Sequence, residues 1–379
     1  MEYPRGNLNP ILPMTGAVVR QKEKRIRKLL AERNPYGLDI GGRWLDRIFA
    51  AYRQPHRYFH TLDHLLSICE QIRKTVWERQ ELAAQLLLTA LFHDVVWYPQ
   101  GGDSEEDSEI VYLNMLAALG EPLPAEAKEG IRRAILSTKY QDDVSELAGI
   151  FHTYDCQVII QGNHVDLLAY EFQIFREFQY LNMIDYRKGR SAFFQRFAKR
   201  YPQCRATMNF LIEYQERRRP RVGIYAGTFS PFHIGHLSIL EKAEMMFDKV
   251  IVAVGINPQK QIERDERLDV TLPFHEVIYF DTLMVDLLEK ESALSDVTLV
   301  RGLRNGYDFD YEMNQLCFMQ QMRPNTHTVY IPCDKRLEHV SSSALKAMSH
   351  FPDLNGRDRF YYPRKYDYYH QPLRELFSF

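Results

Sequence analysis

Residues able to do chemistry fall into two sets along this 379-residue chain. In the C-terminal half, Gly227-Thr228 follows an apolar run and leads into His233-Ile234-Gly235-His236. Glycine permits close backbone approach, threonine supplies a hydroxyl, and two imidazoles three residues apart add N–H donors where a helix would open. That combination suits phosphate oxygens. Each histidine taken alone also fits a helix cap or a satisfied core group. Farther on, Arg301-Gly302-Leu303-Arg304 leads to Asp308 and Glu312, and Arg304, Asp308 and Glu312 at spacings of four share one helix face. Ser341-Ser342-Ser343 offers hydroxyls and N–H groups at another helix start. Lys260 adds a cation after a turn at Asn257-Pro258.

The second set lies upstream. His60 and His64 are four apart, His93-Asp94 ends the most apolar stretch of the chain, and Asp155 follows at a distance. Imidazoles with carboxylates form an N/O set suited to Mn, Fe, Co, Mg or Zn rather than a thiolate site. A buried His-Asp pair on so apolar a segment is costly unless it is paired or metal-bound.

The elements that must carry these residues differ between the halves. From residue 23 to about 218, apolar residues recur at three and four spacings and strand signals are nearly absent, which predicts an all-α domain. After Pro220 short β-rich runs at 222–225, 250–254, 277–280, 297–300 and 328–331 alternate with helical stretches. That alternation predicts an α/β domain with a parallel sheet and helices on both faces. Its strand ends would place Thr228 and Arg301 at the ligand edge. The expected organisation is a helical domain over 1–218, an α/β domain over 219–350 and an aromatic-rich tail over 351–379, docked rather than solvated.

The downstream motifs, over about 221–348, resemble those of phosphopantetheine adenylyltransferase, a histidine-motif nucleotidyltransferase of coenzyme A synthesis with a Rossmann-like fold. Glycine-threonine with the histidine step marks the superfamily; the Arg301 to Glu312 block and the serine triplet mark the enzyme. The resemblance implies that Thr228 and His236 contact the transferring phosphate, and that Lys260 and Arg301 bind phosphate groups. Gly227, Phe229, His233, Gly302, Arg304, Asp308, Glu312, Ser341, Ser342 and Ser343 would form the ATP site, and Leu283 and Met284 a pantetheine contact. Implied partners are ATP with Mg²⁺, 4'-phosphopantetheine and the product dephospho-coenzyme A, in a homo-oligomer. Ser230 stands where the family usually has Asp, and His233 where it often has Thr. The segment between Lys260 and Val277 is short and carries Pro273, so a domain that senses ligand and regulates the helical half is the alternative expectation.

The upstream motifs, over about 23–201, resemble predicted metal-dependent phosphohydrolases of the HD superfamily. Similarity to the Tyr-His-Asn-x-x-His step of cyclic-nucleotide phosphodiesterases implies that His64, His93, Asp94 and Asp155 ligate a divalent metal and that His60 donates a proton to the leaving oxygen. Arg176 and Arg190 are the candidate phosphate clamps, Glu105 or Glu106 could orient water, and the phosphorylated substrate is unnamed. The family's acidic Asp-x-Asp step reads Asp155-Cys156-Gln157 here.

Composition limits partners. The formal net charge is -2 with 26% charged residues, so no global field favours nucleic acid or membrane. The basic knot at 217–221 reads as a solvated linker. Five scattered cysteines suggest no disulfide framework and fit a reducing, cytoplasmic setting. Residues 11–19 lack the core and cleavage site of a signal peptide.

Overall fold

The computed structural model describes residues 16–139, 145–256, 266–351 and 357–377. They form two compact units, one drawn from Leu12–Glu177 with His370–Phe379, the other from Phe178–Tyr369.

The first unit is helical, with α1 (Gly16–Glu32), α2 (Gly41–Ala51), α3 (Leu62–Lys74), α4 (Gln80–Phe92), α5 (Ser104–Ala118), α6 (Ala125–Ser137), α7 (Glu146–Asp155), α8 (Gln157–Gln161) and α9 (His164–Glu177). Helix α4 is apolar on every side, from Ala83 and Leu86 to Leu91 and Phe92, so it can only be central. It packs against α3, α5, α6 and α7. Its neighbours bury a single stripe each; in α3 that stripe is Leu62, Leu65, Ile68 and Ile72. Among the described residues no helix is long and apolar enough to cross a membrane.

The second unit opens with α10 (Met183–Arg200) and α11 (Arg205–Arg217), which pack on each other. There follow β1 (Arg221–Gly227), α12 (Ile234–Glu244), β2 (Lys249–Gly255), α13 (Glu266–Thr271), β3 (Val277–Phe280), α14 (Met284–Ser292), β4 (Asp296–Leu303), α15 (Gly306–Met322), β5 (Thr328–Pro332) and α16 (Ser342–Ser349). The sheet runs β3-β2-β1-β4-β5 and every pairing is parallel. Central β1 and β2 are near-continuous apolar runs because both faces are covered. Val222, Ile224, Ala226, Ile251, Ala253 and Leu299 pack there with Leu287 and Leu288 of α14. The chain steps outward from β1 to β3 and returns to β4 on the other side of β1. A crevice therefore opens between the carboxyl ends of β1 and β4, the topological switch point where such sheets bind ligands.

Helix does give way to strand at 217–221, where the sequence places the domain boundary, but the compact units divide earlier, between Glu177 and Phe178. Contacts near the start of β2 account for this: buried Lys249 at the head of β2 donates to the Leu181 carbonyl and pairs with Glu276. The aromatic C-terminal stretch is partly buried, Tyr366 edge-on to Phe274 and Phe377 within the helical core.

Candidate functional sites

In the helical unit, α4 ends at Phe92 and delivers His93 and Asp94; α3 supplies His64, and Asp155 is the last residue of α7. One donor atom from each lies within 4.8 Å of all the others. His93 Nδ1–H donates to the Ala90 carbonyl at 2.9 Å, which turns Nε2 into the cluster. That Nε2 is 2.8 Å from Asp94 Oδ2, 3.4 Å from His64 Nε2 and 3.5 Å from Asp155 Oδ1. His64 Nε2 lies 3.0 Å from Asp155 Oδ1 and 3.9 Å from Asp94 Oδ2. Donors held about 2.1 Å from one cation, at octahedral to tetrahedral angles, stand about 3.0 to 3.4 Å apart. The residues present fit a divalent ion.

The electrostatics point the same way. Burial would lower the His93 pKa, but Asp94 and Asp155 outweigh it and push it up to about 10. Burial would raise Asp94, and the His93 and His60 charges instead hold it at about 2; Asp155 is driven lower still against its own burial by His64 and His93. Two carboxylates this close call for positive charge, which protonated His93 supplies and a bound cation could supply in its place.

His60 belongs to a neighbouring network that the sequence does not announce. Its Nδ1 lies 2.6 Å from Glu177 Oε2, and its ring stacks on Trp97 with centroids 3.8 Å apart. Glu177 is fully buried. Its Oε1 accepts the N–H groups of Tyr58, Phe59 and His60 at 2.7, 2.7 and 2.9 Å, and Trp97 Nε1 donates to Oε2 at 3.1 Å. Burial alone would lower the His60 pKa; the Glu177 charge outweighs it and raises it. Buried Arg57 ties this loop to the His93-Asp94 turn, donating to the carbonyls of His60, Asp94 and Val95 at 3.2, 2.6 and 3.0 Å.

The two expected clamps lie against aromatic rings. Arg176 is buried, 3.2 Å from the Tyr58 hydroxyl and over its ring; Arg190 belongs to the other unit and lies over Phe193 and Phe194. Both guanidinium groups find aromatic faces, which spacing along the chain does not reveal. Glu106 is paired with Lys139, while burial and then the nearby Asp94 raise Glu105.

In the sheet unit a cavity of about 380 Å³ opens at the switch point. Thr228 follows β1 and is exposed; a Cβ on Gly227 would lie 2.9 Å from the Phe229 ring, so only glycine fits this turn as built. Phe229 itself has φ 46°. His233 is the N-cap of α12: its Nδ1 accepts from Gly235 N at 3.1 Å, and His236 Nδ1 accepts from His233 N at 3.3 Å. Both imidazoles are thus fixed with Nε2–H as the remaining donor, stacked with centroids 3.6 Å apart. Burial, helped by Arg304, lowers His233 to about 4, and burial, then His233, depresses His236 as well. At neutral pH they are uncharged donors at a helix N-terminus. The cap role and the phosphate role coexist in one residue.

The cations here are already paired. Arg301 reaches Glu312 through Nε at 2.6 Å and the Ala226 carbonyl through Nη1 at 2.8 Å. Arg304 is held by Asp308 at 2.9 and 3.0 Å. Gly302 faces Ile239, where a Cβ would come within 3.1 Å. Ser341 caps α16, Ser342 Oγ donates to the Pro231 carbonyl at 2.9 Å, and Ser343 is exposed along the same wall. Leu283 is exposed and Met284 half-buried beyond β3, and neither lines the cavity. Lys260 lies outside the described residues.

A family model described as cytidylyltransferase-like matches residues 224–348. A phosphopantetheine adenylyltransferase of Caldanaerobacter subterraneus subsp. tengcongensis is 33% identical over 139 residues, covering 35% of this chain and 85% of the relative. Enzymes of the same name from Porphyromonas gingivalis and Clostridium perfringens are 36% identical over 148 residues and 35% over 153, spanning 92% and 90% of their lengths and 37% and 38% of this chain.

Proposed function

Since the chain belongs, through its C-terminal part, to the phosphopantetheine adenylyltransferase family, we propose that its sheet unit transfers AMP from ATP to 4'-phosphopantetheine, giving dephospho-coenzyme A and pyrophosphate. The carrying observation is the crevice in which Thr228, neutral His236 and anchored Arg301 surround one helix N-terminus at the switch point. A phosphate nucleophile is already anionic and needs no general base, so the work left to the protein is alignment and charge stabilisation. His236 and His233 would donate Nε2–H to the transferring phosphate, and Thr228 would add its hydroxyl. Glu312 fixes the plane of the Arg301 guanidinium before substrate arrives. Mg²⁺ would enter with ATP. Purified protein given ATP, Mg²⁺ and 4'-phosphopantetheine releases pyrophosphate on this reading; no dephospho-coenzyme A at high enzyme concentration removes it.

The helical unit is, on the same proposal, an HD-type metal-dependent phosphohydrolase. Four ligand atoms within 4.8 Å carry this reading. His64, His93, Asp94 and Asp155 would hold the ion, which when bound supplies Lewis-acid activation of water and of the phosphoryl group. His60 would carry the proton for the leaving oxygen, oriented by Glu177 and Trp97. Metal analysis of wild type against His93→Ala and Asp94→Ala tests it: equal metal content in all three removes the site.

A further inference from the structure

Beside the His64 and Asp155 edge of the cluster lies a cavity of about 440 Å³. Its lining has a chemistry of its own. Gln71 of α3, Gln157 and Gln161 of α8, and Gln173 of α9 bring four carboxamides to its walls, with the hydroxyls of Thr61 and Ser67. Asp63 and Asp166 join Asp155 as carboxylates, Asp63 being paired with Lys22. No lysine or arginine is among the described residues that line it.

Resting on the phosphohydrolase reading of this site, we infer that the cavity takes the organic part of a monophosphate ester, and that this part is uncharged and amide-bearing. A divalent ion held by Asp94 and Asp155 has its charge balanced by those carboxylates, so it would polarise one phosphate and leave no surplus positive charge for a second. A second phosphate would meet the exposed carboxylate of Asp166 with no lysine or arginine in the described lining to offset it, the nearby Lys22 being paired with Asp63. A carboxamide presents two N–H donors and a carbonyl acceptor, the complement of an amide in either direction. Gln157 Nε2 already donates to Gln161 Oε1 at 3.0 Å, an amide-to-amide contact that a ligand amide can join or replace. Hydrolysis breaks the ester P–O bond: water adds its oxygen to phosphorus, its proton passes to the leaving alkoxide through His60, and phosphate and a neutral alcohol result.

The test uses the full chain with Mn²⁺ and three small probes: N-acetylethanolamine phosphate, propyl phosphate, and N-acetylethanolamine diphosphate. Phosphate release should favour the amide monoester about tenfold in kcat/KM over each of the other two, the size of one or two hydrogen bonds. Gln157→Ala and Gln161→Ala should bring the ratio over propyl phosphate towards one by raising KM. Gln161→Lys should raise use of the diphosphate about tenfold. Calorimetric binding of the same probes to the His60→Ala variant should keep the same order, and its change on adding Gln161→Lys reports this cavity alone. A diphosphate handled as well as the monoester, or an amide preference that survives both alanine variants, overturns the inference. Should no probe be hydrolysed while the calorimetric order holds, the hydrolase reading fails and the cavity assignment stands.

Discussion

The helical unit draws two imidazoles and two carboxylates into one buried knot, whereas the sheet unit pairs its arginines with carboxylates and leaves neutral imidazoles facing the crevice. In the knot the imidazolium of His93 and the carboxylates of Asp94 and Asp155 stabilise each other's charges, and a divalent cation could take the place of that proton. The crevice instead gathers a helix N-terminus and neutral imidazole N–H groups, a setting that suits an anion. On the proposed reading one site holds positive charge and the other receives negative charge.

That contrast can be broken at either end. The largest effect is expected from Asp94→Ala, which removes a ligand and leaves His93 beside Asp155 alone; affinity for Mn²⁺ should fall more than about a hundredfold, beyond the 10- to 100-fold typical of outer-shell partners. Equilibrium dialysis against Mn²⁺ measures it, and adenylyl transfer should be untouched. His236→Ala should reduce adenylyl transfer by about a hundredfold, roughly 3 kcal/mol for one transition-state donor, with metal content unchanged. Steady-state pyrophosphate release reports that loss.

The comparison sharpens with pH. Without metal, His93 carries its proton up to about 10, so binding a cation displaces that proton. Mn²⁺ affinity should therefore rise by up to about tenfold per pH unit from pH 6 towards that value, as calorimetry in several buffers would show. His233 and His236 are uncharged over the same range because their affinities are depressed, so ATP binding should not change through protonation of either. A smaller effect is expected from Glu177→Gln. The amide cannot supply the charge that favours protonated His60, and hydrolysis of esters with poor leaving groups should slow about tenfold while activated aryl esters are affected less. The smallest is Ser342→Ala, which loses one hydroxyl bond to the Pro231 carbonyl and should raise the KM for ATP about fivefold, near 1 kcal/mol.

Much of this was legible in residue types. Strand runs after Pro220 mark the sheet, and the five predicted runs all fall inside observed strands because buried parallel strands must be continuously apolar. His93-Asp94 stands out because such a pair seldom ends an apolar helix without a partner, while His64 and Asp155 join it through the family resemblance, and the four do cluster. Their supports do not stand out. Glu177 reaches three backbone N–H groups more than a hundred residues away in sequence, and Arg57 serves carbonyls of the His93-Asp94 turn; neither pattern has a local signature. Nor does spacing along the chain show that Arg176 and Arg190 lie over aromatic rings. The division between Glu177 and Phe178 was hidden because α10 and α11 are amphipathic helices like those before them, and periodicity does not say which core a stripe will join.

The central claim is that the crevice of the sheet unit transfers AMP, independently of the His-Asp cluster in the helical unit. The most direct measurement is mass-spectrometric detection of dephospho-coenzyme A from ATP, Mg²⁺ and 4'-phosphopantetheine, run side by side on wild type, Asp94→Ala and His236→Ala. Product from wild type and Asp94→Ala at equal rates, with about a hundredfold less from His236→Ala, is the predicted result. No product from wild type, or equal loss in both variants, would contradict it.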